Sequence, residues 1–153
     1  ASMIKLIAIG KKHESREHEG IERYQKRLWA PWSVEWVLLP HSSLEGTRAR
    51  QEESERILTR LTSTDYVVLL DERGKLLDSP ALSRTLQQQI DSSKAIVIII
   101  GGAYGVSEEL QQRANLIWSL SPAVFPHQLV RLILIEQLYR SQEITSGRPY
   151  HHE

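Results

Sequence analysis

Two apolar, β-branched runs, "DYVVLLD" at 65–71 and "KAIVIII" at 94–100, constrain the fold of this 153-residue chain more than any other feature. Neither alternates with polar residues, as a strand with one wet face does. Continuous runs of this kind belong to strands covered on both faces, the condition of a parallel sheet between two layers of helices. They are therefore expected at the centre of the sheet. Helical patterns alternate with the other apolar runs, which makes the chain a series of βαβ units.

"MIKLIAI" (3–9) reads as the first strand, and "SREHEGIERYQKRLW" (15–29) as a helix with Ser15 at its N-cap and Glu17 and Glu19 in its early turns. "WSVEWVLL" (32–39) alternates at its start and is expected at a sheet edge. A polar helix follows over 47–61, and Ser79 with Pro80 opens the helix "PALSRTLQQQI". Ser107 caps "EELQQRAN", a short strand lies around "LIWSL", and the last helix runs over 126–143, roughly 27 Å at 1.5 Å per residue. With no repeat, low-complexity segment or linker, 3–153 reads as one α/β domain, and Ala1 and Ser2 ahead of Met3 as a vector-derived remnant. The last helix contains "LVRLILIEQLY", apolar nearly all round, where a surface helix has a polar face. Either it lies in the middle of the fold or a second subunit covers it, and a homodimer is the expectation.

Composition narrows the chemistry. The absence of cysteine removes disulfides, thiolate metal sites and a Cys nucleophile, and no His spacing suits zinc, so no metal is expected. No apolar run approaches the ~20 residues of a membrane span, so a soluble cytoplasmic protein is expected. Lys plus Arg and Asp plus Glu are 19 each, which leaves no global field for a polyanion. A nucleic-acid partner must then be held locally.

Four places could carry chemistry. "IIGGAYG" sets Gly101, Gly102 and Gly105 at the carboxyl end of a strand, where open α/β sheets bind ligands, although the same glycines serve a tight turn. The stretch 114–130 holds no charged residue, and its loop "SLSPAVFPH" (119–127) suits a neutral ring such as adenine, or a buried connection. His127 and Arg131 stand four apart, on one side of the last helix. A buried arginine must be paired or hold an anion. Glu136 and Arg140 are spaced for a structural i, i+4 pair. Finally the chain ends in "GRPYHHE" (147–153), too few imidazoles for a tag and too sparse for a metal site, which leaves a tail folded over an active site.

Together, "VVLLD", the "IGG" turn, "WSLS", "FPHQLVR", "IEQLYRSQEI" and the terminal "PYH" resemble the ribosomal RNA large subunit methyltransferase H family of the SPOUT superfamily. The resemblance runs from Met3 to the end, is most specific over 97–151 and is looser over 11–60. It implies a single-domain SPOUT fold with a C-terminal trefoil knot, a homodimer, and methylation of N3 of a pseudouridine in 23S rRNA of the assembled ribosome. It also implies S-adenosyl-L-methionine as methyl donor, held by Leu70, Gly102, Leu120, Ser121, Pro122, Ala123, Val124 and Phe125. His127, Arg131, Tyr150 and His151 are the catalytic candidates, and Arg131, Arg148 and His152 the RNA-binding ones. The family carries Lys or Arg directly after "YH", where this chain has His152, and Arg148 or Arg131 is the expected substitute. A SPOUT enzyme acting on transfer RNA and a non-catalytic ribosome-associated dimer are the alternatives; the second predicts no binding of S-adenosyl-L-methionine.

Overall fold

The computed structural model describes residues 4–148, and the expectations for Tyr150, His151 and His152 lie outside them. Among the described residues five strands alternate with five helices: β1 (Ile4–Ile9), α1 (Ser15–Gln25), β2 (Val34–Leu39), α2 (Gly46–Leu58), β3 (Tyr66–Leu76), α3 (Ser79–Asp91), β4 (Ile96–Ile100), α4 (Glu108–Arg113), β5 (Leu116–Ser119) and α5 (His127–Thr145). The sheet order is β2-β1-β4-β3-β5 with every pairing parallel. The two apolar runs are neighbours inside it, with Val67 opposite Val97 and Leu69 opposite Ile99, and the alternating β2 is an edge.

The period of two along β4 divides the core. Ile96, Ile98 and Ile100 face one layer with Ile21 of α1, Leu82 and Leu86 of α3, and Leu134, Ile135 and Leu138 of α5. Val97 and Ile99 face the other, with Ile57 of α2 and Leu110 of α4. A strand whose every residue is buried has no use for polar alternation. The last helix therefore lies between α1 and α3, which accounts for much of its apolar character. Gly20 allows α1 to come close, because a Cβ there would meet Leu132 Cδ1 at 2.9 Å.

Three local expectations are corrected. Ser15 is already helical and Glu14 is the N-cap, its backbone N–H donating 2.8 Å to Gln128 Oε1 of α5 instead of the helix using its own cap. Asp78 caps α3 in place of Ser79, because its carboxylate accepts from Ala81 N–H at 2.8 Å, and a serine one position later is inside the helix. Strand β3 does not stop near Asp71 but resumes pairing with β5 at Lys75 after a register shift. Ser107 does cap α4, its Oγ accepting from Leu110 N–H at 3.2 Å.

Candidate active site

The carboxyl ends of β3, β4 and β5 open into one cleft of about 260 Å³. Leu70 ends the regular part of β3, Gly101 and Gly102 follow β4, and Leu120, Ser121, Ala123, Val124 and Phe125 follow β5; all of them line the cleft. Pro122, expected with them, is not among its walls. Ser119 Oγ donates to Ser121 O at 2.9 Å and Ala123 N–H to Ser121 Oγ at 3.0 Å, so the β5–α5 loop is held by its own short side chains. In the β4–α4 turn Gly105 N–H donates 3.0 Å to Gly102 O, with Gly105 at φ +80°, the left-handed region that glycine enters freely.

Glu53 of α2 stands behind that turn. It is buried, its Oε2 accepts from Ser42 N–H at 2.9 Å, and its Oε1 has no hydrogen-bond partner among the described residues and rests against Gly102, where a Cβ would collide with it. The floor of the cleft is thus backbone because a carboxylate occupies the space a side chain would need.

The bulge in β3 adds residues the sequence reading did not include. Asp71, Glu72 and Arg73 project at the rim of the cleft. Arg73 donates from Nε (3.0 Å) and Nη2 (2.8 Å) to Asp71, and these bonds hold the Asp71 carboxyl below its ordinary pKa. A signal existed in "DERG": charged residues at the end of an apolar run, then Gly74, whose Cβ would come within 2.6 Å of Ile117 O across the strand pair.

His127, the first residue of α5, also lines the cleft. Desolvation, and then the positive charge of Arg131, push its pKa below the ordinary histidine value, so it is neutral at physiological pH. Arg131 lies one turn further in and is 1% exposed. Its Nη2 donates to Ile9 O and Gly10 O at 3.1 Å each, and its Nη1 to Lys12 O at 2.9 Å and His13 Nδ1 at 3.1 Å. Both Nη groups of Arg131 are therefore inside the protein with acceptors of their own, a structural use that leaves no Nη free for the expected phosphate contact, while its buried Nε–H has no hydrogen-bond partner among the described residues. Arg148 is likewise engaged: Nη2 donates 2.9 Å to Glu143 Oε2 and the guanidinium lies 4.3 Å from the ring centroid of Trp29. Glu136 and Arg140 form the expected pair at 2.7 Å. Among the described residues no group of three or more His, Asp or Glu is placed to hold a metal, and no helix is long and apolar enough to cross a membrane.

A parallel α/β sheet with a glycine turn and an uncharged loop around a carboxyl-end cleft fits a methyltransferase of the SPOUT class. The family model described as "Predicted SPOUT methyltransferase" matches residues 3–151, and the chain belongs to that family. It is 41% identical to the Ribosomal RNA large subunit methyltransferase H of Acetivibrio thermocellus, covering 97% of this chain and 98% of that protein. The protein of the same name from Flavobacterium johnsoniae is also 41% identical, over 98% and 99% of the two chains. Among solved structures, a methylase family protein from Neisseria gonorrhoeae shares the fold, with a TM-score of 0.57 at 13% identity over 99% of this chain and 86% of that one.

Proposed function

We propose that this chain transfers a methyl group from S-adenosyl-L-methionine to N3 of a pseudouridine in 23S rRNA of the assembled ribosome, working as a cytoplasmic homodimer. The observation that carries the reading is the cleft itself, walled by Leu70, Leu120, Val124 and Phe125 and floored by backbone at Gly101 and Gly102. Such walls suit a flat purine, and the carboxylates of Asp71 and Glu72 at the rim suit a cationic donor. When bound, S-adenosyl-L-methionine supplies a methyl group already activated by positive sulfur. The chain's task is then mostly orientation, which in well-aligned reactions contributes about 7–11 kcal/mol. Proton removal from N3 falls to a neutral imidazole, that of His127 beside the cleft or that of His151 in the tail. The trefoil knot and the pairing of two chains through α5 belong to the same proposal.

The reading predicts that labelled methyl moves from S-adenosyl-L-methionine onto ribosomes lacking the modification, but not onto deproteinised 23S rRNA or transfer RNA. Label on free RNA alone would move the target elsewhere, and no label on any of them would remove the activity.

The tail and His127 separate by single-turnover rate and donor affinity. Truncation after Arg148, which keeps the Glu143 and Trp29 contacts, is expected to abolish transfer while donor affinity by calorimetry changes less than about threefold. His127→Ala is expected to slow the step by about 10²-fold, the lower end of general-base contributions. Loss of donor binding on truncation would make the tail a wall of the donor pocket, and an unchanged rate in the His127 variant would return the base role to His151.

A further inference from the structure

A second cleft lies beside the amino-terminal turns of α5, whose Gln128 and Arg131 bond to its walls. The β1–α1 connection forms it, with Lys11, Lys12, His13, Glu14, Arg16 and Glu19 among its walls. The connection is short, yet α5 holds its backbone at several points. Arg131 takes the carbonyls of Ile9, Gly10 and Lys12, Gln128 Nε2 donates to Lys12 O at 3.4 Å, and Gln128 Oε1 accepts from Glu14 N–H. Gly10, at φ +121°, leaves room for Arg131 Nη2, which a Cβ would approach to 2.9 Å. Burying a guanidinium is costly, and here its return is a fixed loop rather than an ion pair.

The fixed loop presents cations. Lys11 and Lys12 are exposed and, among the described residues, make no ion pair, whereas Arg16 lies 3.5 Å from Glu14. His13 adds no charge near neutrality, because burial and then Arg131 lower its pKa to about 4. Since Nδ1 accepts from Arg131, the other ring nitrogen, Nε2, carries the hydrogen and serves as a donor. His127, facing the first cleft, and Arg131, bracing the second, are one helical turn apart, roughly 6 Å along the axis.

We propose that the Lys11–Lys12 cleft holds phosphodiester groups of the RNA strand flanking the nucleotide to be methylated. This rests on the RNA-methylating reading above and supplies the local cationic contact that a chain of zero formal charge must have. Arg131 and Gln128 are its positioning residues: they couple the helix that carries His127 to the loop that grips the substrate backbone, so that phosphate register and reacting base are set together.

The test is equilibrium binding to ribosomes lacking the modification, measured over a salt series for wild type, Lys11→Ala/Lys12→Ala, and Lys94→Ala at the opposite ends of the strands. The double variant is expected to bind about tenfold or more weakly at low salt, with a log–log salt slope shallower by about 1 to 2, as loss of phosphate contacts requires. Lys94→Ala is expected to match wild type in ribosome affinity, salt slope and single-turnover rate, and donor affinity to stay within about twofold for both variants. An affinity and slope unchanged in the double variant would overturn the inference. Ribosome binding without methyl transfer by the wild-type chain sinks the catalytic reading alone, because the slopes still decide this one; absence of ribosome binding sinks both.

Discussion

Arg131→Met is expected to lower stability by about 3–5 kcal/mol, the usual consequence of stranding the partners of a buried charged group. The guanidinium meets no carboxylate within ion-pair distance among the described residues; its charge is answered by the carbonyls of Ile9, Gly10 and Lys12. Methionine fills much of the stem's volume and replaces none of those bonds, so the loss reports the head group rather than a cavity. In a domain of this size the midpoint of thermal unfolding should fall by roughly 10 °C. Arg131→Lys should rescue little, because an ammonium lacks the planar fork that reaches two carbonyls from Nη2 while Nη1 serves Lys12 and His13.

The same bond network has a signature in pH. His13 titrates near 4 in the folded chain against an ordinary 6.5, so on acidification the unfolded chain takes up its proton first. This part of the stability is present above 6.5 and is lost as pH falls from there toward 4. Removing the Arg131 charge raises the folded His13 pKa, and the Met variant should therefore lose less on acidification than wild type. Urea midpoints across pH 4–7 measure both effects. A Met variant as stable as wild type at pH 7, with the same acid limb, would mean that these bonds contribute nothing net.

Much of this was legible in the sequence, and the remainder was not for definite reasons. β4 could be placed because unbroken β-branched runs have one common use, and β2 because its alternation marks a half-covered strand. The glycine turn and the uncharged loop could be named because small residues at a strand's carboxyl end limit what fits there. Arg131 illustrates the opposite. A charge in an apolar helix signals a partner, but its acceptors are backbone carbonyls some 120 residues earlier, and every residue has a carbonyl. No sequence pattern distinguishes the three that are used. The β3 bulge escaped for a related reason: Asp71, Glu72 and Arg73 look like the polar end of a strand, and only the return of pairing at Lys75 turns them toward the cleft. Glu53 sits in a polar helix where its neighbours Glu52 and Glu55 are less buried or exposed, and nothing local marks it as the one packed behind Gly102.

That packing yields the other large expected effect: Gly102→Ala should lower donor affinity at least tenfold and slow single-turnover methyl transfer by about 10²-fold, the scale of a 1 Å misplacement at a reacting centre. The added Cβ falls on Glu53 Oε1 and within 3.4 Å of Ile9 Cγ2. An exposed glutamate would swing aside, but Glu53 is 4% exposed, and its other oxygen is bonded to Ser42 N–H at 2.9 Å. The turn is the weaker partner, because Ala103, Tyr104 and Gly105 are all exposed, and Ala103 and Gly105 line the cleft. It therefore moves outward, into the space proposed for the donor. A double-mutant cycle separates this from a general loss of glycine flexibility. Gly102→Ala/Glu53→Ala removes the obstacle and should recover most of the donor affinity, whereas Gly105→Ala, with open space around its Cβ position, has no such rescue. If Gly102→Ala binds the donor as wild type does, Glu53 has yielded, and the turn rather than the carboxylate is the rigid element of the floor.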